Sequence, residues 1–307
     1  MSKSLSDSDS PVLPLTSTAI RPDIALAGLA LPLMFYDSPT AKLVRRPLNN
    51  SFYTVTCRKL LPTELMTFLN FGYLADRGEL SAEDGEDIVD RMSEGLYDRV
   101  VGDIDLRGKT VAEIGCGPGA GCAHLARAYA PGSIVGVDLN KEMVAWCRAH
   151  HEAPNLEFLQ GDALDLPFAS DSLDAIVNIE SSHGYPSKPP FFAEVARVLR
   201  PGGRFLYADI MLRFGKRHGP DVLSAHLKQV GLEIDSFADI TQNVLAARDA
   251  VTNSPAFRSL LRERVSIVRR PVLEQGLCFT GSKLYKLMTS GRLCYGQWQA
   301  SKPNPAG

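Results

Sequence analysis

Five short apolar runs, spaced by helix-length amphipathic stretches, set the pattern of this chain between residues 110 and 209. They fall at 110–115, 133–138, 156–160, 173–179 and 204–209. Near-continuous apolar character is what strands covered on both faces require. Strand–helix alternation of this kind builds a parallel sheet with helices on either side. Upstream, Ile88, Met92, Leu96 and Val100 recur at every fourth position, which predicts one amphipathic helix packed on the core. Ser81 to Asp84 has the pattern of a capping box, with Asp in the place of Glu. Downstream, the pattern predicts a helix over 221–230 stopped by Gly231, a sixth strand over 232–240, a largely helical stretch over 241–289, and a last, antiparallel strand over 292–298.

Ligands of such sheets bind beyond the carboxyl ends of the strands. Glu113, Asp138, Asp162, Asn178 and Asp209 all fall at or near those ends. The first strand runs into Glu113-Ile-Gly115-Cys-Gly117-Pro-Gly119-Ala-Gly121, where glycine lets the backbone turn sharply and a ligand approach closely. Gly115, Gly117 and Ala120 also satisfy the short dinucleotide pattern, and Asp138 at the tip of the second strand suits ribose hydroxyls in either case. An NAD-type site therefore stands as the alternative at this point.

The later segments separate the two. Gly161-Asp162-Ala163 precedes the fourth strand and Leu199-Arg-Pro-Gly-Gly203 precedes the fifth. Together with the glycine loop and Asp138, this ordered series resembles the class I S-adenosylmethionine-dependent methyltransferases. The resemblance implies an α/β fold: a Rossmann-like, doubly wound seven-stranded sheet, parallel with one antiparallel strand, carrying a helical N-terminal lid and a C-terminal cap insertion. It implies S-adenosylmethionine as cofactor. It also implies that Glu113 holds the loop or the cofactor's ammonium, and that Gly115, Gly117 and Gly119 line the cofactor. Asp138 with Leu139 would meet the ribose and Asp162 with Ala163 the adenine, with Asn178 and a closing Tyr73 completing the site. The expected division is a disordered lead over 1–20, lid and helices over 21–105, the cofactor-binding core over 106–240, and an acceptor cap with the last strand over 241–300.

Past the fourth strand lies Glu180-Ser-Ser-His183-Gly-Tyr185-Pro. With Phe68-Leu-Asn-Phe-Gly-Tyr73 and Gly291-Arg-Leu-Cys-Tyr295, it resembles the phthiotriol and phenolphthiotriol dimycocerosate methyltransferases and related polyketide O-methyltransferases. Gly184 departs from that family, which has cysteine there, and it adds room beside His183. The likeness implies O-methylation of a hydroxyl on a lipophilic natural product, a polyketide or a lipid. A hydroxyl must lose its proton on methylation, and histidine suits that task near neutral pH. His183 is the expected base or orienting group, with Tyr185 and Glu180 assisting. Phe191, Phe192, Phe214, Phe257, Phe279 and Tyr285 supply aromatic surface for a bulky acceptor. Transfer to nitrogen or carbon, and a cofactor-binding partner without turnover, are the competing readings.

Composition narrows the rest. A formal charge of −2 over 307 residues gives no electrostatic footprint for nucleic acid. Six cysteines without a C-x-x-C pair fit a reducing cytoplasm, and the histidine spacing suggests no metal centre. The longest apolar run, 24–36, is too short to span a bilayer and is broken by Pro32, so stable membrane insertion is not expected. Oligomeric state stays open, a homodimer being one option.

Overall fold

The computed structural model describes residues 67–76, 87–213, 219–267 and 270–305, with scattered positions between 47 and 61. The lead over 1–20, the capping box at 81–84, Phe214 and His218 lie outside the described residues. Helix α1 (Ile88–Val101) carries the four-residue repeat inward, with Leu96 and Val100 completely buried. Burying such side chains stabilises by about 2 kcal/mol each.

The core follows as β1 (Thr110–Ile114), α2 (Ala120–Tyr129), β2 (Ser133–Asp138), α3 (Lys141–His150), β3 (Leu156–Gln160), β4 (Leu173–Ile179), α4 (Lys188–Val198) and β5 (Leu199–Leu212). Then come α5 (Pro220–Gln229) and β6 (Glu233–Asp239), followed by the cap helices α6 (Thr241–Asn253), α7 (Pro255–Arg264), α8 (Arg270–Gly276) and α9 (Lys283–Thr289). The chain closes on β7 (Leu293–Ser301). The seven strands lie in the order β3-β2-β1-β4-β5-β7-β6, and β7 is antiparallel to both its neighbours. This is the expected sheet, and the order reverses between β1 and β4. Such a switch point opens a crevice above the carboxyl ends of those two strands.

β5 is longer than the 204–209 run at both ends. Leu199 already pairs with Leu173, the next pair is Arg204 with Ala175, and residues 200–203 bulge out between them. Lys302 closes that bulge: its carbonyl accepts from Gly202 N and its own N–H reaches the Gly203 carbonyl. At the other end β7 keeps pairing as far as Leu212. Position-by-position hydrophobicity cannot see an extension made by backbone bonds to a strand ninety residues away.

One face of the sheet packs α1, α2 and α3 through Leu96, Val100, Leu125 and Met143. The opposite face is aromatic, with Phe191 and Phe192 of α4 against Phe205, Tyr207 and Trp298. A third cluster joins the segment around Leu74 to the cap through Met92, Ala247, Phe257 and Phe279. Four of the aromatics considered for acceptor contact are therefore core: Phe191 and Phe192 are fully buried, and Phe257 and Phe279 are buried against each other at 5.7 Å. Among the described residues no helix is long and apolar enough to cross a membrane.

Candidate active site

β1 delivers Glu113 one residue before its end, where the side chain turns into the protein rather than toward the crevice. Its Oε1 accepts from Tyr97 OH of α1 at 2.6 Å, and its Oε2 from Cys122 Sγ of α2 at 2.8 Å. Burial pushes its carboxyl up to about 7, outweighing those two bonds. Of the two roles implied for Glu113, this geometry serves the first: it ties α1 and α2 behind the loop. The loop itself runs through left-handed backbone at Gly115 (φ +73), Gly117 (φ +52) and Gly119 (φ +85). A Cβ on Gly115 would stand 1.8 Å from Ser181 Oγ, so glycine is required there on both grounds.

Asp138 ends β2 facing the loop. Its Oδ2 accepts from Gly117 N at 3.1 Å and its Oδ1 from Asn140 N at 2.8 Å. Burial still raises the carboxyl to about 6, against the three backbone N–H groups of Asn140, Gly117 and Leu139. Asp162 Oδ1 caps the following turn by accepting from Leu164 N, and Ala163 is buried beside it against Val137 and Leu166. Asn178 donates to the Ile114 carbonyl at 2.7 Å and to Tyr185 OH at 3.1 Å, while its Oδ1 is buried without a partner.

A cationic, hydroxyl-rich cofactor suits this edge. The loop carries no side chain at Gly117, Asp138 keeps lone pairs to spare, and the orphaned Asn178 oxygen calls for a donor.

The chain after β4 forms the other half. Glu180 holds left-handed backbone (φ +49), a cost of about 1 kcal/mol or more for a non-glycine residue. Its carboxylate over-determines that turn by accepting from Phe71 N at 2.6 Å and Tyr295 OH at 2.8 Å. Arg248 of α6 grips the same residue from the cap, with Nη1 3.4 Å from the Phe71 carbonyl. Glu180 thus fastens the lid segment to the sheet. Burial raises it to about 7.

A short 3₁₀ turn, Ser182–Gly184, then presents His183. Its Nδ1 lies 2.6 Å from Asp209 Oδ1 of β5. Asp209 is completely buried, and burial alone would raise its carboxyl. The charges of Lys188 and His183, with hydrogen bonds from His183 and Ser182, hold it well below the usual carboxylate range instead. An ionised Asp209 accepts from the Nδ1–H of His183, and when the imidazole is neutral Nε2 is then the acceptor.

Tyr185 is spent within the turn. Its hydroxyl meets Ser181 Oγ at 2.5 Å and Asn178 Nδ2, its ring stands edge-on to Phe191 at 5.0 Å, and burial pushes its phenol further up. A phenol so held shapes the loop and is a poor base.

Tyr73, expected to close over the cofactor, stands against α1 in this structure. Its N–H donates to the Met92 carbonyl at 2.8 Å and its ring takes the Arg99 guanidinium at 5.9 Å, so its contacts are with α1. Among the described residues Leu69 comes up to Gly117, with Cδ1 4.0 Å from where a Cβ there would stand.

Several residues at the site were not singled out from sequence. Asn140 caps α3 and reaches back through Nδ2 to the Asn50 carbonyl and Thr54 Oγ1, tying those residues to the β2 tip. Tyr53 nearby is partly buried against the core, and desolvation together with the charges of Asp138, Glu180 and Asp209 raises its phenol. The cap at Asn140 was readable from Asn-Lys-Glu before an amphipathic run. Nothing local marks Tyr53. Asp209 was noted as a strand end, but its partners Lys188 and Tyr207 become visible only in three dimensions.

Comparison with known proteins agrees with this geometry. The family model described as a methyltransferase domain matches residues 112–207. A phthiotriol/phenolphthiotriol dimycocerosates methyltransferase of Mycobacterium leprae is 35% identical over 254 residues, covering 82% of this chain and 90% of the relative. A fatty-acid O-methyltransferase of Mycolicibacterium smegmatis is 44% identical over 162 residues, covering 53% of this chain and 59% of that protein. A geranyl diphosphate C-methyltransferase of Streptomyces coelicolor, solved with S-adenosylhomocysteine, superimposes with a TM-score of 0.59 at 17% identity over 76% of this chain and 91% of its own, a likeness of fold. The dinucleotide alternative falls away: the chain is a class I S-adenosylmethionine-dependent methyltransferase of the phthiotriol/phenolphthiotriol dimycocerosates methyltransferase family.

Proposed function

We propose that the enzyme methylates a hydroxyl oxygen of a lipophilic acceptor, a polyketide or lipid of secondary metabolism, with His183 as the base. The observation that carries this reading is the 2.6 Å bond from His183 Nδ1 to the buried Asp209, which orients the imidazole and leaves Nε2 free to take a proton. Bound S-adenosylmethionine supplies an electrophilic methyl group and a neutral thioether leaving group. Around it, Asp138 would hold the ribose, the backbone at Gly115 and Gly117 the methionine portion, Asp162 with Ala163 the adenine, and Asn178 Oδ1 a donor of the cofactor. The turn Ser182–Gly184 would align the acceptor oxygen for in-line attack, and alignment itself contributes much of the rate. As the new O–CH₃ bond forms, the hydroxyl proton passes to His183 Nε2. The lid residues Leu69 and Phe71, fastened by Glu180, would exclude water. The relatives' names, a dimycocerosate precursor in one case and a fatty acid in the other, support a lipid-like acceptor.

Arg248 favours a second reading, methylation of a carboxyl oxygen. It is buried, its Nε has no partner, and its hydrogen bond to the Phe71 carbonyl is long. A buried guanidinium so poorly satisfied suits a carboxylate head.

One experiment separates them. His183→Ala should lower kcat by about 10²–10⁴ on a hydroxylated acceptor while S-adenosylhomocysteine still binds. A carboxylate carries no proton to remove, so near-normal turnover of a long-chain fatty acid to its methyl ester by the variant would overturn the base reading. Mass spectrometry distinguishes the ether from the ester.

A further inference from the structure

Lys188 is an unusual neighbour for a histidine expected to act as a base. It stands at the first position of α4, only 14% of its side chain is exposed, and its Nζ places all three donors inside the protein. They reach Asp209 Oδ2 at 2.9 Å, Ser182 Oγ at 2.8 Å and Tyr207 OH at 2.9 Å. Ser182 Oγ in turn donates to the same Asp209 oxygen at 2.5 Å. One carboxylate therefore serves two bases: Oδ1 faces His183 and Oδ2 faces Lys188.

Resting on the reading of His183 as base, we propose that Lys188 is a positioning residue: it balances Asp209 so that His183 meets the acceptor as neutral imidazole rather than as imidazolium. A buried carboxylate without a counterion draws the nearest protonable group into charge. With histidine as its only partner, Asp209 would make an imidazolium its counterion, and the base would already be protonated. Lys188 takes that place, its Nζ donating all three of its hydrogen bonds within the cluster. The direction found for Asp209 agrees, because the Lys188 charge is the strongest influence opposing burial.

The other groups facing the pair do not substitute for it. His226 of α5 lies within the field of Lys188, and burial keeps that histidine toward its neutral form, with Lys188 adding in the same sense. Glu180 faces His183 from the same loop but is itself raised by burial and committed to Phe71 and Tyr295. Tyr53, Tyr185, Tyr207 and Tyr295 feel the Asp209 charge as phenols raised by burial, so they bring no positive charge. Among the described residues Lys188 is the only lysine or arginine bonded to Asp209.

The test needs no acceptor. The His183 ring is followed by NMR in histidine-labelled protein saturated with S-adenosylhomocysteine, its signal assigned by loss in His183→Gln. Lys188→Gln keeps a donor and removes the charge, and its His183 titration midpoint should rise by one pH unit or more. Lys188→Arg keeps the charge and should stay within a few tenths of wild type. Should Lys188→Gln fail to fold, Asp209→Asn gives the complementary measurement: Lys188 then stands unopposed, and the midpoint should fall by a unit or more. A folded Lys188→Gln with an unmoved midpoint would reduce Lys188 to a structural tie, as would an unmoved midpoint in Asp209→Asn. These readouts are independent of the base reading, which fails separately if His183→Ala retains its rate on a hydroxylated acceptor.

Discussion

The two halves of the carboxyl edge treat their carboxylates in opposite ways. On the β1–β2 side, Glu113 is buried and Asp138 half-buried among neutral donors, with no lysine or arginine bonded to either among the described residues, and both are raised, to about 7 and about 6. On the β4–β5 side, Asp209 is buried as deeply as Glu113 but carries Lys188 and His183, and it is lowered. Among the described residues the first half has no lysine or arginine on its carboxylates, and the second has Lys188. On the proposed placement, a sulfonium cofactor with an ammonium group would complete the first, whereas Asp209 already has its counterion in Lys188. Preorganised charge of this kind costs no rearrangement at the moment of reaction.

The halves touch at Gly115, and the largest effect is expected there. An alanine would need left-handed backbone and would drive its Cβ to 1.8 Å from Ser181 Oγ and 2.9 Å from Tyr185 OH. Gly115→Ala should weaken S-adenosylhomocysteine binding by roughly 100-fold, about 3 kcal/mol. It should also abolish turnover, because the displaced turn carries His183. Calorimetry on protein shown to be folded by circular dichroism checks this. Near-normal affinity would mean that the 180–185 turn moves freely and that the two halves are uncoupled.

Asp138 sharpens the charge comparison with a smaller effect. Asp138→Ala should cost about 10- to 100-fold in cofactor affinity through lost charged hydrogen bonds. The pH dependence carries more information. Asp138 must be ionised to attract a cationic ligand, and its carboxyl sits at about 6 in the free enzyme. Wild-type affinity for S-adenosylmethionine should therefore rise as pH increases from 5 to 7, with proton release at the lower end, and Asp138→Ala should flatten the curve. A wild-type curve already flat over that range would remove Asp138 from the charge argument.

The sequence made the first half more legible than the second. Glu113, the three glycines and Asp138 lie within 26 residues, and short-range order of that kind shows in the chain itself. The strand positions and the antiparallel β7 were also readable from the apolar runs, while the doubly wound sheet came from the family resemblance and the strand order from the structure. His183 was found through its loop. Its partner Asp209 lies 26 residues on, and Lys188 and Tyr207 join them only because β4, α4 and β5 pack together. The setting of Tyr73 was hidden for a similar reason: the segment from Phe68 to Leu74 has its backbone held by Glu180, Met92 and Asn243, all distant in sequence. Glycine and carboxylate identity betray a cofactor loop, whereas a hydrogen-bonded lid segment has no residue code.

The smallest effect concerns stability and isolates Glu113 from ligand binding. Its folded carboxyl is raised above the unfolded value of 4.5 to about 7. In that window the folded protein keeps a proton that the unfolded chain gives up, so the contribution is full below about 4.5 and is lost as pH rises through 7. A shift of this size corresponds to about 3 kcal/mol, an upper figure for a carboxylate that also accepts from Tyr97 and Cys122. Glu113→Gln cannot titrate, so its denaturant stability should fall less between pH 5 and pH 8 than that of the wild type. A residual slope should persist, because Glu180 is raised to the same value with the same sign. If the Gln variant loses as much stability as the wild type over that range, the raised carboxylate behind the loop is not the source. The contrast between the two halves would then rest on Asp138 alone.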